Sequence, residues 1–212
     1  MSDEKEIKER ILDKAEQLFL QFGYAKVTME EIASGLGMSK KTLYKFFPSK
    51  ENLVRELTNN RICQNEEFIN QIWAEEGLDF VGKLKRMMDF IGKQLVKTKG
   101  PLYEDIHKSM PDLWNEIHDV RKMKGLEKAE RLFSSGVAHG VFRNDIQKDI
   151  IILMFTNTVQ SIINPETLSQ LPYSGNQALE AIFKVLFEGI FTEEGREKYI
   201  SYNNILNNPG DN

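Results

Sequence analysis

The chain has one cysteine, few prolines and no long apolar run. The single thiol, Cys63, excludes an internal disulfide and any site built from several thiolates, and it suits a reducing compartment. With no base near it in sequence, Cys63 reads as a buried apolar filler rather than a nucleophile. Six prolines among 212 residues leave few helix breakers in a chain rich in Leu, Ile, Glu and Lys. The longest apolar run, IIILMF at 150–155, falls far short of the ~20 residues of a membrane span. The charged start, MSDEKEIKER, lacks the apolar stretch of a signal peptide, so a cytoplasmic protein without membrane contact is expected. The three histidines, His107, His118 and His139, have no metal-ligand spacing, and no GxSxG, Walker or GxGxxG pattern occurs. Neither an enzyme, a metal site nor a cofactor is expected.

What is present is helix. Ile7, Ile11, Leu12, Ala15, Leu18, Phe19 and Phe22 repeat at helical spacing, and Gly23 ends the run as a residue past a C-cap does. Further helices are expected near 50–75, 78–98, 101–109, 112–139, 146–163 and 175–192. Breaks fall at Gly77, KGP (99–101), Pro111, GVFRND (140–145), NPETLSQLPYSG (164–175) and TEEG (192–195), with Asn144 capping the helix that follows it. No alternating strand pattern exceeds a few residues. The expected fold is all-α: an N-terminal three-helix bundle and a larger C-terminal helical domain of about six helices.

Charge is unevenly arranged. The chain is acidic, net -4, yet GMSKKTLYKFFPSK (37–50) carries four lysines and no carboxylate. Just before it, Thr28 and Glu31 form a capping box, and Val27 can staple onto Ile32. Gly35 and Gly37 end that short helix, Ser39 caps the next, and Pro48 stops it by holding Phe47 extended. Stepping about 100° per residue puts Leu43, Phe46 and Phe47 on one side of this second helix and Lys41 and Lys45 opposite, flanked by Thr42 and Tyr44. Two short capped helices around a glycine turn make a helix-turn-helix, whose second helix enters a major groove. The helix starts capped by Thr28, Ser39 and Ser49 offer N–H groups to phosphate.

The segment VTMEEIASGLGMSKKTLYKFFPSKENLV resembles the DNA-binding segment of the TetR family of bacterial transcriptional regulators, over about Gly23–Val54. Gly35–Leu36 departs from the family pattern, and Lys41 stands where a small residue is also common. The resemblance implies that Tyr24, Thr28, Tyr44 and Lys50 hold phosphates and that Lys40, Lys41, Thr42 and Lys45 lie at the groove. Ser39, as the cap of the groove helix, joins this set. The implied protein is a homodimer on a palindromic operator in double-stranded DNA, most often a repressor released by a small hydrophobic ligand. The alternative is a regulator of the same fold controlled by a protein partner, without a small-molecule inducer.

Residues 146–163 and 178–191 are apolar almost all round, so both faces need covering. One is expected to meet a second copy in a two-fold four-helix bundle through Ile151, Phe155, Ile162, Ile182, Phe183, Leu186 and Ile190. The resemblance places a ligand cavity among the middle helices, where Met87, Phe90, Tyr103, Met110, Trp114, Phe133 and Phe155 are candidate lining residues. The expected division is a DNA-binding domain over 1–48, a ligand-binding and dimerisation domain over 49–200, and a flexible tail over 201–212.

Overall fold

The computed structural model describes residues 2–97 and 100–207. Among them are eleven helices: α1 (Ser2–Phe22), α2 (Met29–Gly35), α3 (Lys40–Phe46), α4 (Lys50–Ala74), α5 (Phe80–Lys97), α6 (Pro101–Ser109), α7 (Pro111–Ala138), α8 (Lys148–Ile162), α9 (Pro165–Ser169), α10 (Gly175–Ile190) and α11 (Glu193–Asn207). The described residues hold no strand, only an isolated antiparallel bridge between Phe142 and Phe191. No helix among them is long and apolar enough to cross a membrane.

The chain forms two compact units. The first contains residues 1–67 and 97–119. Here α1 packs on α2 and α6, and α2 packs on α3. Ile11, Ala15 and Phe19 of α1 meet Ile32, Leu43, Phe47 and Leu53 in one core, which also takes in Leu102, Ile106 and Leu113. Burial of each such side chain stabilises the fold by roughly 1.5–3 kcal/mol relative to exposure, so three short segments hold together that would not be helical alone.

The second unit contains residues 68–96 and 120–212. Leu84, Met87, Phe133, Phe142, Phe183 and Phe187 form its centre. Its chain reversal at 136–145 closes on the junction between α10 and α11. The Arg143 N–H donates to Ile190 O at 2.8 Å, and the Thr192 N–H donates to Val141 O at 3.0 Å.

Four expectations need correction or completion. Asn144 does not cap α8; the N-cap is Gln147, which makes no side-chain cap bond. Cys63 is exposed, on the outer face of α4, rather than a core filler. The 164–175 break contains the short helix α9, capped by Asn164, whose side chain accepts the Thr167 N–H at 2.9 Å. Residues 193–207 form α11 where a break and a tail were expected, while the last five residues of that tail, 208–212, and part of the KGP break, 98 and 99, lie outside the described residues.

Candidate nucleic-acid interface

Thr28 opens α2 with a complete capping box. Its Oγ1 accepts the Glu31 N–H at 3.2 Å, and its own N–H donates to Glu31 Oε2 at 2.7 Å. The turn that follows requires glycine for conformation rather than space: Gly37 has φ +67°, and nothing lies within 4 Å of where its Cβ would stand. The Met38 N–H returns to Ala33 O at 3.0 Å, which tightens the turn. Ser39 then caps α3, accepting the Thr42 N–H at 3.0 Å.

Leu43 of α3 and Phe47, the residue that caps its C-terminus, are fully buried and Phe46 is half-buried, so the helix is anchored along one side. Lys41, Tyr44 and Lys45 are exposed on the other. Among the described residues neither Lys41 nor Lys45 has a carboxylate partner. The remaining predicted contacts are engaged locally. Thr28 also gives its hydroxyl proton to Glu31 at 2.9 Å, Ser39 and Thr42 hydroxyls meet at 2.8 Å, and Lys40 Nζ stands 3.6 Å from Glu30 Oε2. Sequence reading missed Glu30, because the pairing crosses the turn and carries no local signature.

Tyr24 and Lys50 come together at the edge of this face. Lys50 Nζ lies 4.2 Å from the Tyr24 ring centroid, and the ring backs onto Phe19 at 5.8 Å. Burial pushes the Lys50 ammonium below its ordinary pKa, while Asp105 and Glu31 pull it back up. Burial, with Glu51 beside it, raises the Tyr24 phenol, which therefore remains a neutral donor. Lys8 of α1 covers the Phe47 ring at 5.7 Å. The result is a surface of amines and hydroxyls over a rigid apolar base, which suits phosphates and base edges.

The seven candidate ligand residues divide between the units. Tyr103, Met110 and Trp114 pack in the first unit, around the core beneath α1. Met87, Phe90, Phe133 and Phe155 lie in the second. There Phe133 and Phe155 line an apolar cleft with Leu132, Ile152, Leu186 and Phe187, which has room for little more than one water molecule. Of the candidate dimer residues, Ile182, Phe183 and Ile190 are buried within their own unit, and Ile151, Phe155, Ile162 and Leu186 are half-buried. The apolar side chains that α8 and α10 turn outward are Ile150 (54% exposed), Leu153 (50%), Met154 (49%) and Val185 (73%). No group of three His, Cys, Asp or Glu placed to hold a metal occurs among the described residues.

Comparison with known proteins agrees with this geometry. Residues 11–57 match the family described as bacterial regulatory proteins, tetR family. The HTH-type transcriptional regulator YvaF of Bacillus subtilis is 26% identical over 185 residues, covering 87% of this chain and 96% of that protein. A transcriptional regulator from Cytophaga hutchinsonii has a similar fold, with TM-score 0.71 and 20% identity over 87% of this chain and 98% of its own. SmeT, the repressor of the Stenotrophomonas maltophilia multidrug efflux pump SmeDEF, aligns with TM-score 0.65 and 17% identity, covering 88% and 91%. The family match begins inside α1 and ends inside α4, spanning α2, the glycine turn and the lysine-bearing α3. Residues 11–57 thus carry the segment that marks the tetR family of bacterial regulatory proteins, and the chain is similar over most of its length to HTH-type transcriptional regulators.

Proposed function

We propose that the protein is a dimeric repressor that holds a palindromic operator through α3 of each copy and leaves it when a small hydrophobic ligand enters the second unit. The observation that carries the DNA reading is the pair Lys41 and Lys45, exposed and without a carboxylate partner, on a helix pinned from behind by Leu43 and Phe47. Tyr24 and Lys50 hold phosphate at the edge of the same face. Residues 1–48 serve DNA binding, residues 49–200 serve ligand binding and dimerisation, and the protein works in the cytoplasm. Repression is the sign named for SmeT, which has the same fold.

Two features support the rest. The apolar cleft around Phe133 and Phe155 offers a hydrophobic ligand an interior without charge. Because it holds so little free space, a ligand must part those side chains, and it shifts the operator equilibrium only by preferring the opened state. The outward apolar residues of α8 and α10 suit a second copy of the chain.

A salt series on an operator duplex tests the DNA reading. Lys41→Ala with Lys45→Ala is expected to weaken binding by about 10²-fold and to lower the slope of log Kd against log salt by about two per protomer. Unchanged affinity and slope in the double variant would remove α3 from the interface.

A further inference from the structure

A carboxylate from a distant part of the chain reaches the edge of the DNA face. Asp105, on α6, lies eighty residues after the turn that follows α1, and its Oδ2 accepts the Ala25 N–H at 2.8 Å. Gly23, two residues earlier, has φ +89°, and a Cβ there would stand 2.6 Å from that same oxygen and 3.2 Å from Pro101 Cβ. Pro101 and Asp105 are one helical turn apart, so one face of α6 seats the Gly23–Ala25 turn. Tyr24 lies at the centre of that turn, with the Lys50 ammonium over its ring. Asp105 therefore grips the backbone beside Tyr24, and its charge also favours the cationic form of the lysine stacked on Tyr24.

We propose that Asp105 is a positioning residue for DNA binding: by holding the Ala25 N–H it sets the turn that carries Tyr24, and so places the Tyr24–Lys50 pair against the phosphate backbone. This rests on the reading above that Tyr24 and Lys50 meet phosphates. Asp105 is not itself a contact, since an anion there repels phosphate. Its two actions on DNA affinity have opposite signs. As a charge it detracts from the local positive potential; as an acceptor it fixes the turn. Asparagine keeps an acceptor oxygen and drops the charge, whereas alanine drops both. A role in positioning thus predicts an order of affinities: Asp105→Asn at or above wild type, and Asp105→Ala below.

The experiment measures Kd across a salt series for the full chain on a duplex selected from random-sequence DNA by the wild-type protein. Lys50→Ala is expected to weaken binding and reduce the salt slope by about one per protomer. Asp105→Ala is expected to weaken binding about tenfold, the scale of one hydrogen bond to a charged group. In the Lys50→Ala background the further effect of Asp105→Ala should shrink to about twofold or less, because the two act as one unit. Thermal melts accompany each variant, and Asp105→Ser replaces Asp105→Ala if the latter does not fold. If Lys50→Ala leaves binding intact, the phosphate reading fails and the proposal falls with it. If Lys50→Ala weakens binding but Asp105→Ala does not, the proposal alone is overturned. It is also overturned if Asp105→Asn loses as much as Asp105→Ala, or if the Asp105 and Lys50 effects simply add.

Discussion

Thr28 and Glu31 satisfy each other's backbone at the start of α2, and the stability they provide depends on charge. Hydrogen bonds from the Thr28 backbone and hydroxyl hold the Glu31 carboxyl below its usual range. A carboxyl whose native pKa is depressed contributes stability that is complete above its unfolded value of about 4.3 and fades as pH falls through the lower native value. Two results follow. Thr28→Ala should cost about 1 kcal/mol in urea unfolding at pH 7, the usual loss of a helix cap. Glu31→Gln, which does not titrate, should show its largest deficit against wild type at neutral pH. That deficit should narrow as unfolding is measured at successively lower pH, below about 4.3. A deficit constant over that range would mean that Glu31 acts through packing alone. Since α2 supports the turn into α3, weaker DNA binding should accompany weaker folding in Thr28→Ala.

Helices legible in the sequence are those whose ends are written in residue identity. The helix-turn-helix is the clearest case: Thr28, Glu31, Gly37 and Ser39 each have a backbone duty that few other residues fill, and each performs it. The phase of α3 was equally readable, because Leu43 and Phe47 leave only one way to bury a seven-residue helix. α11 was missed because TEEG looks like a stop. In the structure Thr192 Oγ1 accepts the Gly195 N–H at 2.9 Å, and Glu193 and Glu194 occupy a first turn, where carboxylates complement the helix dipole. Asp105 was beyond reach, since nothing local to α6 signals a hydrogen bond eighty residues back. α11 also carries a prediction of its own. Its Tyr199 and Tyr202 rings face the Lys85 ammonium of α5 at 4.4 and 5.1 Å, and burial pushes that amine down to about 8. An unfolded lysine titrates near 10.4, so between about 8 and 10.4 the unfolded chain binds the extra proton. Stability attributable to Lys85 should therefore rise with pH across that window and be lost as pH falls through about 8. Lys85→Met should flatten the rise in urea midpoints between about pH 8 and 10; an unaltered profile would show that Lys85 titrates normally.

At the scale of the whole molecule, the question is what covers α8 and α10. Their sequences are apolar on nearly every face, which concealed their phase: hydrophobic periodicity locates a core only when a polar face contrasts with it. The structure supplies that phase. Ile182, Phe183 and Ile190 are satisfied within one chain, whereas Ile150, Leu153, Met154 and Val185 are left in water. Four large apolar side chains on two mutually packed helices form a surface that a soluble monomer rarely leaves open. A second copy related by two-fold symmetry can bury the same patch on both sides, and it doubles the number of recognition helices on the DNA. Leu153→Glu with Val185→Glu should therefore leave helix content nearly unchanged, since neither side chain supports its own chain's core, while melting falls to a value that no longer depends on protein concentration. Sedimentation should show dimer becoming monomer, because two carboxylates per copy would have to be buried against their symmetry mates. The monomer should bind an operator half-site with about half the salt slope of the dimer, as each copy displaces its own counterions. A protein that stays dimeric with both glutamates in place would move the interface away from α8 and α10, and the four exposed side chains would then need a different partner.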